Sequence, residues 1–302
     1  MKSAKGYIFI LLATIFWGIS ATIAKFLFTH EIETLILVQS RVTISAIIML
    51  LYFLFFKRHL LSVRLKDLYM FALVGIIGVA GSNFTYYFTI QETNVATAIL
   101  MQYMAPLLVL IYAAVSKEES LTWVKISAAI ISVSGCYLAV TGEDLSLLNI
   151  SRIGLATGIA SAFCWAFTNV YLRRVLKHYS VWTVLVYSFL SASVFWLFFN
   201  SPIAIAEKHY SAQTWWTFTG FAMISILIPH TLYFNGLRHI AASRAIITGT
   251  FEPIVAIISS YIILSAVLTS VQIIGAVLVI AAILILQLKR EPTDEIETEA
   301  PR

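Results

Sequence analysis

An acidic residue and a proline lie side by side inside a long apolar stretch of the chain, as Glu252-Pro253. The stretch runs from about residue 241 to 264, so the sequence places Glu252 near the middle of a membrane-spanning helix. A carboxylate there is costly, and it is usually retained for function. Glu252 could titrate or pair with a cationic group; equally, it could accept hydrogen bonds and hold helices together. The proline frees a backbone carbonyl and predicts a hinge or kink.

The same pattern occurs a second time, 147 positions earlier in the chain. The segment Tyr86–Pro106 aligns with Tyr233–Pro253, so that a tyrosine begins and a proline ends both segments. The symmetric placement of the two prolines favours a mechanical role for both. Other pairs match at 147 or 148 positions: Trp17 with Trp165, Lys25 with Arg173, and Leu121 with Leu268. The chain therefore contains two copies of one unit.

Polar residues inside the apolar stretches could line a cavity between the two copies. Asn83 and His230 are paired by the repeat, and each precedes a tyrosine of the repeated segment by three positions. This spacing puts the polar and the aromatic side chain on one helix face. The alternative for His230 is a simple hydrogen bond between helices. For the paired tryptophans, packing or anchoring at the membrane interface is the default interpretation and a cavity wall is the second.

Arg41 lies about seven residues into the second apolar stretch. Its guanidinium is always charged, so it must find a carboxylate, backbone carbonyls or water. It either holds a substrate carboxylate or acts as a structural strut, with the strut slightly favoured. Thr248 precedes Glu252 by one helical turn and could extend its polar patch. The predicted cavity residues are Trp17, Arg41, Asn83, Tyr86, Gln102, Trp165, Asn169, His230, Tyr233, Thr248 and Glu252, with Pro106 and Pro253 as hinges.

The composition of the chain is that of a membrane protein. Hydrophobic residues make up 60% of it, charged residues 12%, and the mean hydropathy is +0.90, values outside the range of soluble domains. The net charge of +5 comes from short basic clusters between apolar runs, which predicts loop topology rather than nucleic-acid binding. Cys136 and Cys164 both lie in apolar runs. The sequence therefore predicts no disulfide, metal site or cofactor, and it has no nucleotide-binding loop for ATP.

Ten apolar runs are long enough to cross about 30 Å of hydrocarbon, which takes roughly 20 helical residues. They predict an all-α integral membrane protein with five transmembrane helices in each copy of the repeat. The predicted spans are 7–28, 34–56, 67–90, 95–115, 121–141, 153–173, 180–200, 214–236, 241–264 and 268–288.

The basic residues predict the orientation of these spans. With the N-terminus inside, sixteen of the 20 Lys and Arg residues fall on the inner side, and only Arg152 and Lys208 fall outside, so both termini are expected to be cytoplasmic. Because each copy has an odd number of helices, the second enters the membrane from the opposite side. Inverted repeats of this kind recur in transporters, with the substrate site between the copies. We expect one repeat over 1–145, the other over 146–290, and a disordered cytoplasmic tail over 291–302.

These motifs in this order resemble the EamA-type members of the drug/metabolite transporter superfamily. The similarity rests on Trp17-Gly18 in the first span, Arg41 in the second, Tyr-Phe-x-x-Leu before a short turn, and Glu252-Pro253 in the ninth, and it covers about residues 7–288. It implies a ten-helix inverted-repeat carrier of the bacterial cytoplasmic membrane, often an exporter of amino acids or related metabolites. It also implies a cavity lined by spans 1–4 and 6–9, with spans 5 and 10 as peripheral supports.

Two positions depart from the pattern of that family. Ala105-Pro106 stands in the first repeat where Glu-Pro is frequent, which argues against a mechanism that needs two symmetric carboxylates. Ser265-Ala266 stands where an acidic residue often closes the ninth helix.

The sequence therefore predicts a secondary transporter that exports amino acids or related small metabolites by alternating access through a central cavity. The alternative is a helical membrane receptor or scaffold without transport activity, which would not need an inverted repeat. We expect no enzyme, because the chain contains neither a Gly-x-Ser-x-Gly nor a His-Glu-x-x-His motif. The expected partners are a small-molecule substrate and the lipid bilayer, without nucleic acid, and the sequence leaves a homodimer open.

Overall fold

The computed structural model describes residues 2–28, 33–93, 95–117, 119–142, 151–264 and 269–288. Within these ranges the chain consists of helices and short connections, and no residue forms a β-strand. The all-helical prediction is confirmed, as expected for a chain that must satisfy its backbone hydrogen bonds internally in hydrocarbon. The predicted tail over 291–302 and the boundary between the repeats at 145–146 lie outside the described residues.

The helices of the first repeat are α1 (Lys2–Phe28), α2 (Thr34–Phe56), α3 (Leu68–Leu73), α4 (Ser82–Glu92), α5 (Val95–Gln102), α6 (Ala105–Ser116) and α7 (Trp123–Thr141). Those of the second are α8 (Arg152–Val175), α9 (Val181–Trp196), α10 (Pro202–Ala206), α11 (Ala212–Ala222), α12 (Ile228–Leu237), α13 (Ala242–Gly249), α14 (Glu252–Leu264) and α15 (Ser270–Leu288). Short 3₁₀ turns cover Arg58–Leu61 and Leu65–Asp67.

Nine helical stretches in the described part of the chain are long and apolar enough to cross a membrane. They coincide with nine of the ten predicted spans. The seventh span, predicted over 180–200, differs because its helix ends at Trp196 after 16 residues. The residues from 197 to 200 form turns instead. A tenth crossing at this position therefore stays a prediction.

Two spans are interrupted near their middles, at equivalent places in the two repeats. The span predicted over 95–115 is divided into α5 and α6 at residues 103–104, and the span predicted over 241–264 is divided into α13 and α14 at residues 250–251. The kinks predicted at Pro106 and Pro253 thus fall where the helices are interrupted, and a hinge role for these two prolines stays a prediction. In both spans the second residue of the following helix is the repeated proline, which is tolerated in a first turn but would remove a hydrogen bond and clash within a continuous helix.

The third and eighth spans each contain a π-helical segment, Val74–Gly81 between α3 and α4 and Met223–Leu227 between α11 and α12. The repeat relates these two segments to each other. π-Helical turns are rare and occur often at functional sites. Asn83 and His230 follow their segments by two and three residues. Since an extra residue in a turn rotates everything that comes after it, the π segments set the helix face on which these two residues lie.

The first helix of each repeat packs against the other repeat. α1 lies against α12, α13 and α14, whereas α8 lies against α4, α5 and α6. Other helices pack against their own repeat counterparts, α2 with α9 and α7 with α15. The two repeats are therefore interleaved around a common interior.

The pair formed by α7 and α15 is close-packed because glycines occupy the contact positions of both helices. A Cβ atom at Gly275 would lie 2.3 Å from the backbone nitrogen of Ala139, and one at Gly135 would lie 2.8 Å from the carbonyl oxygen of Gly275. Small residues allow backbones to approach this closely in membranes. The fifth and tenth spans, which the family resemblance places as peripheral supports, thus brace each other.

We expect Gly275→Ala to destabilise the protein, although alanine is the better helix former. The added methyl group must displace backbone of α7, and overpacking of this kind costs about 1–3 kcal/mol. The matched control is Gly220→Ala in α11, where a Cβ atom would meet nothing within 4 Å. The measurement is the apparent melting temperature in detergent, which should fall for Gly275→Ala and stay equal or rise for Gly220→Ala. Equal melting temperatures for the two variants would contradict the close packing.

Candidate functional site

The two interrupted spans touch each other at their breaks. Tyr103 lies in the break between α5 and α6, and its buried hydroxyl donates a hydrogen bond to Oε2 of Glu252 at 2.7 Å. The same hydroxyl lies 3.3 Å from the carbonyl oxygen of Gly249, at the end of α13. One side chain of the first repeat therefore bridges both sides of the break in the second repeat.

Glu252 is the first residue of α14, not a residue in the middle of a continuous helix as predicted. The N-terminal end of a helix carries a partial positive charge, which stabilises an acidic side chain there. The break thus explains how an acid is accommodated at this depth of an apolar span. Tyr103 was missed by the sequence analysis because its repeat counterpart is Thr250, so no symmetric pair of tyrosines marks it.

Arg41 of α2 is buried and has few partners. Its Nη2 group donates a hydrogen bond to Oδ1 of Asn83. Its guanidinium carbon lies 5.4 Å from the centre of the Tyr87 ring and 6.0 Å from that of Phe221, distances at which a cation and an aromatic face attract each other. Its Nε atom has no hydrogen-bond partner within the described residues. The guanidinium therefore retains donor capacity toward a ligand.

Asn83 is itself held by the helix that carries it. Its Nδ2 group donates to the carbonyl oxygen of Val79, inside the π-helical segment, at 2.6 Å. The amide is therefore oriented with its oxygen toward Arg41. The sequence analysis proposed both residues as cavity residues but did not predict that they contact each other.

The paired tryptophans meet where the two repeats join. The ring centres of Trp17 and Trp165 are 5.7 Å apart in an edge-to-face arrangement. Trp17 also packs against His230, at 5.3 Å, and against Tyr233, at 5.2 Å. Aromatic pairs at such distances are favourable. These four residues, which we call the aromatic cluster, combine α1 of the first repeat with α8 and α12 of the second.

The polar atoms of this region are bonded to one another. The hydroxyl of the buried Tyr233 donates to Oδ1 of Asn169 at 2.6 Å, and Nδ2 of Asn169 donates to the carbonyl oxygen of Trp165 at 2.9 Å. Nδ1 of His230 lies 3.0 Å from the carbonyl oxygen of Ile226 in its own helix. Asn169 thus positions Tyr233 against Trp17 and Trp165.

The remaining predicted residues lie around these groups. Nε2 of Gln102 donates to the Ser82 hydroxyl at 3.2 Å, and Tyr86 packs against Tyr87 with ring centres 5.3 Å apart. The buried Thr248 hydroxyl donates to the carbonyl oxygen of Arg244 at 2.7 Å. The break at residues 250–251 removes the helical spacing that placed Thr248 beside Glu252. That Thr248 extends the polar patch of Glu252 stays a prediction.

The candidate site combines two separate charged positions with the aromatic cluster. Arg41 with Asn83 forms a cationic position, and Glu252 with Tyr103 forms an acidic one. Arg41 and Glu252 interact electrostatically, yet no ion pair joins them in the described part of the chain. Neither side chain has an ion-pair partner within the described residues, so a role for the two positions in binding a ligand stays a prediction.

Comparison with known proteins shows similarity along nearly the whole chain. The sequence profile of the EamA-like transporter family matches residues 4–141 and again residues 152–288. YicL of Salmonella typhimurium, an uncharacterized inner membrane transporter, is 24% identical over 95% of this chain and 96% of its own length. The threonine/homoserine exporter RhtA of Salmonella typhimurium is 25% identical over 72% of this chain and 71% of its own length.

A solved crystal structure illustrates the fold that this chain shares with known proteins. It superposes on 95% of this chain and 96% of its own with a TM-score of 0.73, at 16% sequence identity. At this identity the similarity concerns the fold alone.

Replacing Tyr103 with phenylalanine should destabilise the protein by roughly 1–3 kcal/mol, because it leaves a partly buried acceptor at Glu252 without this donor. The ring itself is retained, so packing changes little. The matched control is Tyr137→Phe on α7, where the side chain is 36% exposed and removal of the hydroxyl should have little effect. Apparent melting temperatures in detergent distinguish the two. If both variants melt with the wild-type protein, the hydrogen bond between the breaks contributes nothing measurable.

Proposed function

The chain belongs to the EamA-like transporter family, and on that premise we propose that it is a secondary exporter of amino acids or related small metabolites working by alternating access. It is a multi-pass membrane transporter of the bacterial cytoplasmic membrane, in line with its nine apolar spans and its inner-membrane relative. That it has no enzymatic activity is part of the proposal and is supported by relatives named as transporters.

The proposal includes ten spans with both termini in the cytoplasm, the helix from Val181 to Trp196 being the seventh. Contacts between the repeats support this topology. Residues predicted on the inner side contact each other, as Arg173 does Glu119, at an Nη1–Oε1 distance of 3.6 Å. Residues predicted on the outer side do the same, as Lys208 and Glu33 form an ion pair. If the helix from Val181 to Trp196 did not cross the membrane, Lys208 and Glu33 would lie on opposite sides of it.

The observation that carries the substrate proposal is the pair of unmatched charges. An α-amino acid is a zwitterion, with a carboxylate and an ammonium group attached to the same carbon. Its carboxylate would accept hydrogen bonds from the donors that Arg41 has left over, since a guanidinium binds a carboxylate through two parallel N–H groups. Its ammonium group would donate a hydrogen bond to the Glu252 carboxylate in place of, or beside, the Tyr103 hydroxyl.

In the proposed cycle the two halves rock about the point where Trp17 meets Trp165. The breaks before Pro106 and Pro253 give each half a segment that can change direction without breaking a continuous helix. Because the acidic position is formed by residues of both repeats, binding there depends on how the repeats are placed. A solute that binds one arrangement better than the other shifts the population toward it.

The second candidate function is that of a membrane receptor or scaffold, which would bind a solute without moving it. Proteoliposomes separate the two functions. We expect vesicles preloaded with unlabelled threonine or homoserine, the solutes in the name of RhtA, to accumulate the labelled solute from outside by counterflow, whereas vesicles without protein do not. A wider panel of amino acids and organic cations, tested with and without a pH gradient, would define specificity and coupling. Saturable binding without counterflow for any member would favour the receptor.

The two charged positions predict how single substitutions alter recognition. Relative to the wild-type protein, Arg41→Gln should weaken competition by an amino acid roughly 10- to 100-fold, the equivalent of one charge-assisted hydrogen-bonded contact. It should leave competition by the corresponding amino amide, which lacks the carboxylate, nearly unchanged. Glu252→Gln should show the reverse selectivity, with the N-acetyl amino acid unaffected.

The controls for these substitutions are Arg152→Gln and Glu207→Gln, which remove the same charges from exposed positions. The measurement is inhibition of labelled amino acid counterflow by each analogue. An Arg41→Gln protein that discriminates between amino acid and amide as the wild-type protein does would assign Arg41 to the structural strut. A Glu252→Gln protein with unchanged transport and unchanged pH dependence would remove Glu252 from the site.

A further inference from the structure

A further charged group, separate from the charged positions described above, joins the two repeats at the start of α13. Glu119 lies in the connection between α6 and α7, with 10% of its side chain exposed. Its Oε1 atom accepts a hydrogen bond from the backbone N–H of Ala242 at 2.9 Å, and its Oε2 atom accepts one from the Ser243 hydroxyl. Lys125 and Arg173 lie at 3.5 Å and 3.6 Å from the carboxylate.

The partners of Glu119 belong to both repeats. Lys125 is in α7 of its own repeat, whereas Arg173 is at the end of α8 and Ala242 and Ser243 begin α13 of the other repeat. A carboxylate offers about four acceptor positions, and four groups surround this one. A single side chain thus fastens α13 and α8 to the α6–α7 connection.

The inverted repeat predicts an equivalent group at the opposite end of the molecule, but the sequence does not provide one. The position equivalent to Glu119 is Ala266, and the position equivalent to Ser243 is Ala96. Lys125 is replaced by Gln272, whose side chain accepts a hydrogen bond from the backbone N–H of Thr269 at the start of its own helix. The basic position alone is retained, as Lys25. The carboxylate that organises the group is therefore present at one end only.

The ion pair that links the repeats at the opposite end is of a different kind. Glu33 and Lys208 have side chains that are 52% and 45% exposed. Exposed pairs are screened by water and salt and contribute little. The largely buried carboxylate of Glu119 is screened much less, and its hydrogen bonds are charge-assisted. Among the described residues, the contacts that join the repeats through Glu119 are therefore stronger than the exposed pair of Glu33 and Lys208.

We propose that Glu119 is the positioning residue that closes the transporter at its own end, so that the resting population favours the state open at the opposite end. The proposal rests on the proposed alternating access and adds the direction of its bias. Opening the Glu119 end requires its carboxylate to leave Arg173 and the start of α13. A cleft lined in part by Tyr112, Arg174 and Lys177 lies beside Glu119, so the separated charges would be exposed to water and not to hydrocarbon.

The test is the reactivity of single cysteines toward a water-soluble maleimide, in a background in which Cys136 and Cys164 are replaced by serine. One reporter is Ala113→Cys, which is buried in α6 beside the cleft. The other is Ala24→Cys, which is buried near the C-terminal end of α1, at the end of the molecule opposite to Glu119. In the Glu119→Gln variant we expect at least a threefold faster reaction at Ala113→Cys and a slower reaction at Ala24→Cys. Glu118→Gln, which removes the same charge one residue earlier, should change neither.

Opposite changes at the two reporters distinguish closure from a simple structural role, since general loosening of the fold would speed the reaction at both. A second variant protects the test against misfolding of Glu119→Gln. Ala266→Glu combined with Gln272→Lys supplies the missing partners at the other end, and it should slow Ala24→Cys and speed Ala113→Cys while Glu119 stays in place. Unchanged rates, or rates that rise at both reporters, would overturn the proposal.

The outcome is also separable from that of the proposed function. If counterflow fails while the reporters respond in opposite directions, the proposed bias is supported and the proposed identity of the transported solute is contradicted. If counterflow succeeds while the reporters do not respond, the transporter is closed by other contacts.

Discussion

The structure depends on one constraint, which is that two of its membrane-spanning helices are interrupted inside the hydrocarbon region. Each break leaves backbone groups without their helical partners, in a region where water does not replace them. The structure meets this by placing one break against the other. The Tyr103 hydroxyl donates to the side chain of Glu252 at the start of α14 and lies 3.3 Å from the last carbonyl oxygen of α13, so a tyrosine from one repeat contacts both sides of the break in the other.

That solution also determines where charge can be placed. Glu252 lies at a helix N-terminus and beside a donor, whereas Arg41 lies within a continuous helix and relies on Asn83 and two aromatic rings. The π-helical segment before Asn83 orients the amide, and the break before Pro253 exposes the start of α14. Irregular backbone within the described spans thus lies next to the residues that build the two charged positions, and the second π-helical segment lies just before His230.

Features that occur in both copies of the repeat could be predicted from the sequence. The tryptophan pair, the proline pair and the polar residues before the tyrosines were found in this way, and the structure brings Trp17, Trp165, His230 and Tyr233 together. The span ends were predicted closely because the membrane fixes the hydrophobic length. A kink was predicted at Pro106 and at Pro253, but the full interruption of each helix was not, since an apolar run continues through it and the proline is the only local sign.

Features that occur once could not be found by symmetry. Tyr103 is matched by Thr250 and Glu119 by Ala266, so neither was marked by the repeat. The contact of Arg41 with Asn83 depends on how α2 and α4 pack, which one sequence does not specify. The π-helical segments were missed for another reason. Their hydrogen bonds are made by the backbone, and their side chains are the same small and aliphatic residues that an ordinary α-helix would have.

The interleaving of the repeats has a consequence for how the chain is made. α1 has its main contacts with α12, α13 and α14, which are synthesised near the end of translation. The amino-terminal half therefore cannot complete its packing while it emerges alone, and domain-by-domain folding, the usual course for larger chains, is not open to it. The repeated unit of the sequence therefore does not correspond to an independently folding unit. In a fragment that lacks α1, the surfaces of α12, α13 and α14 that pack against α1 would be exposed.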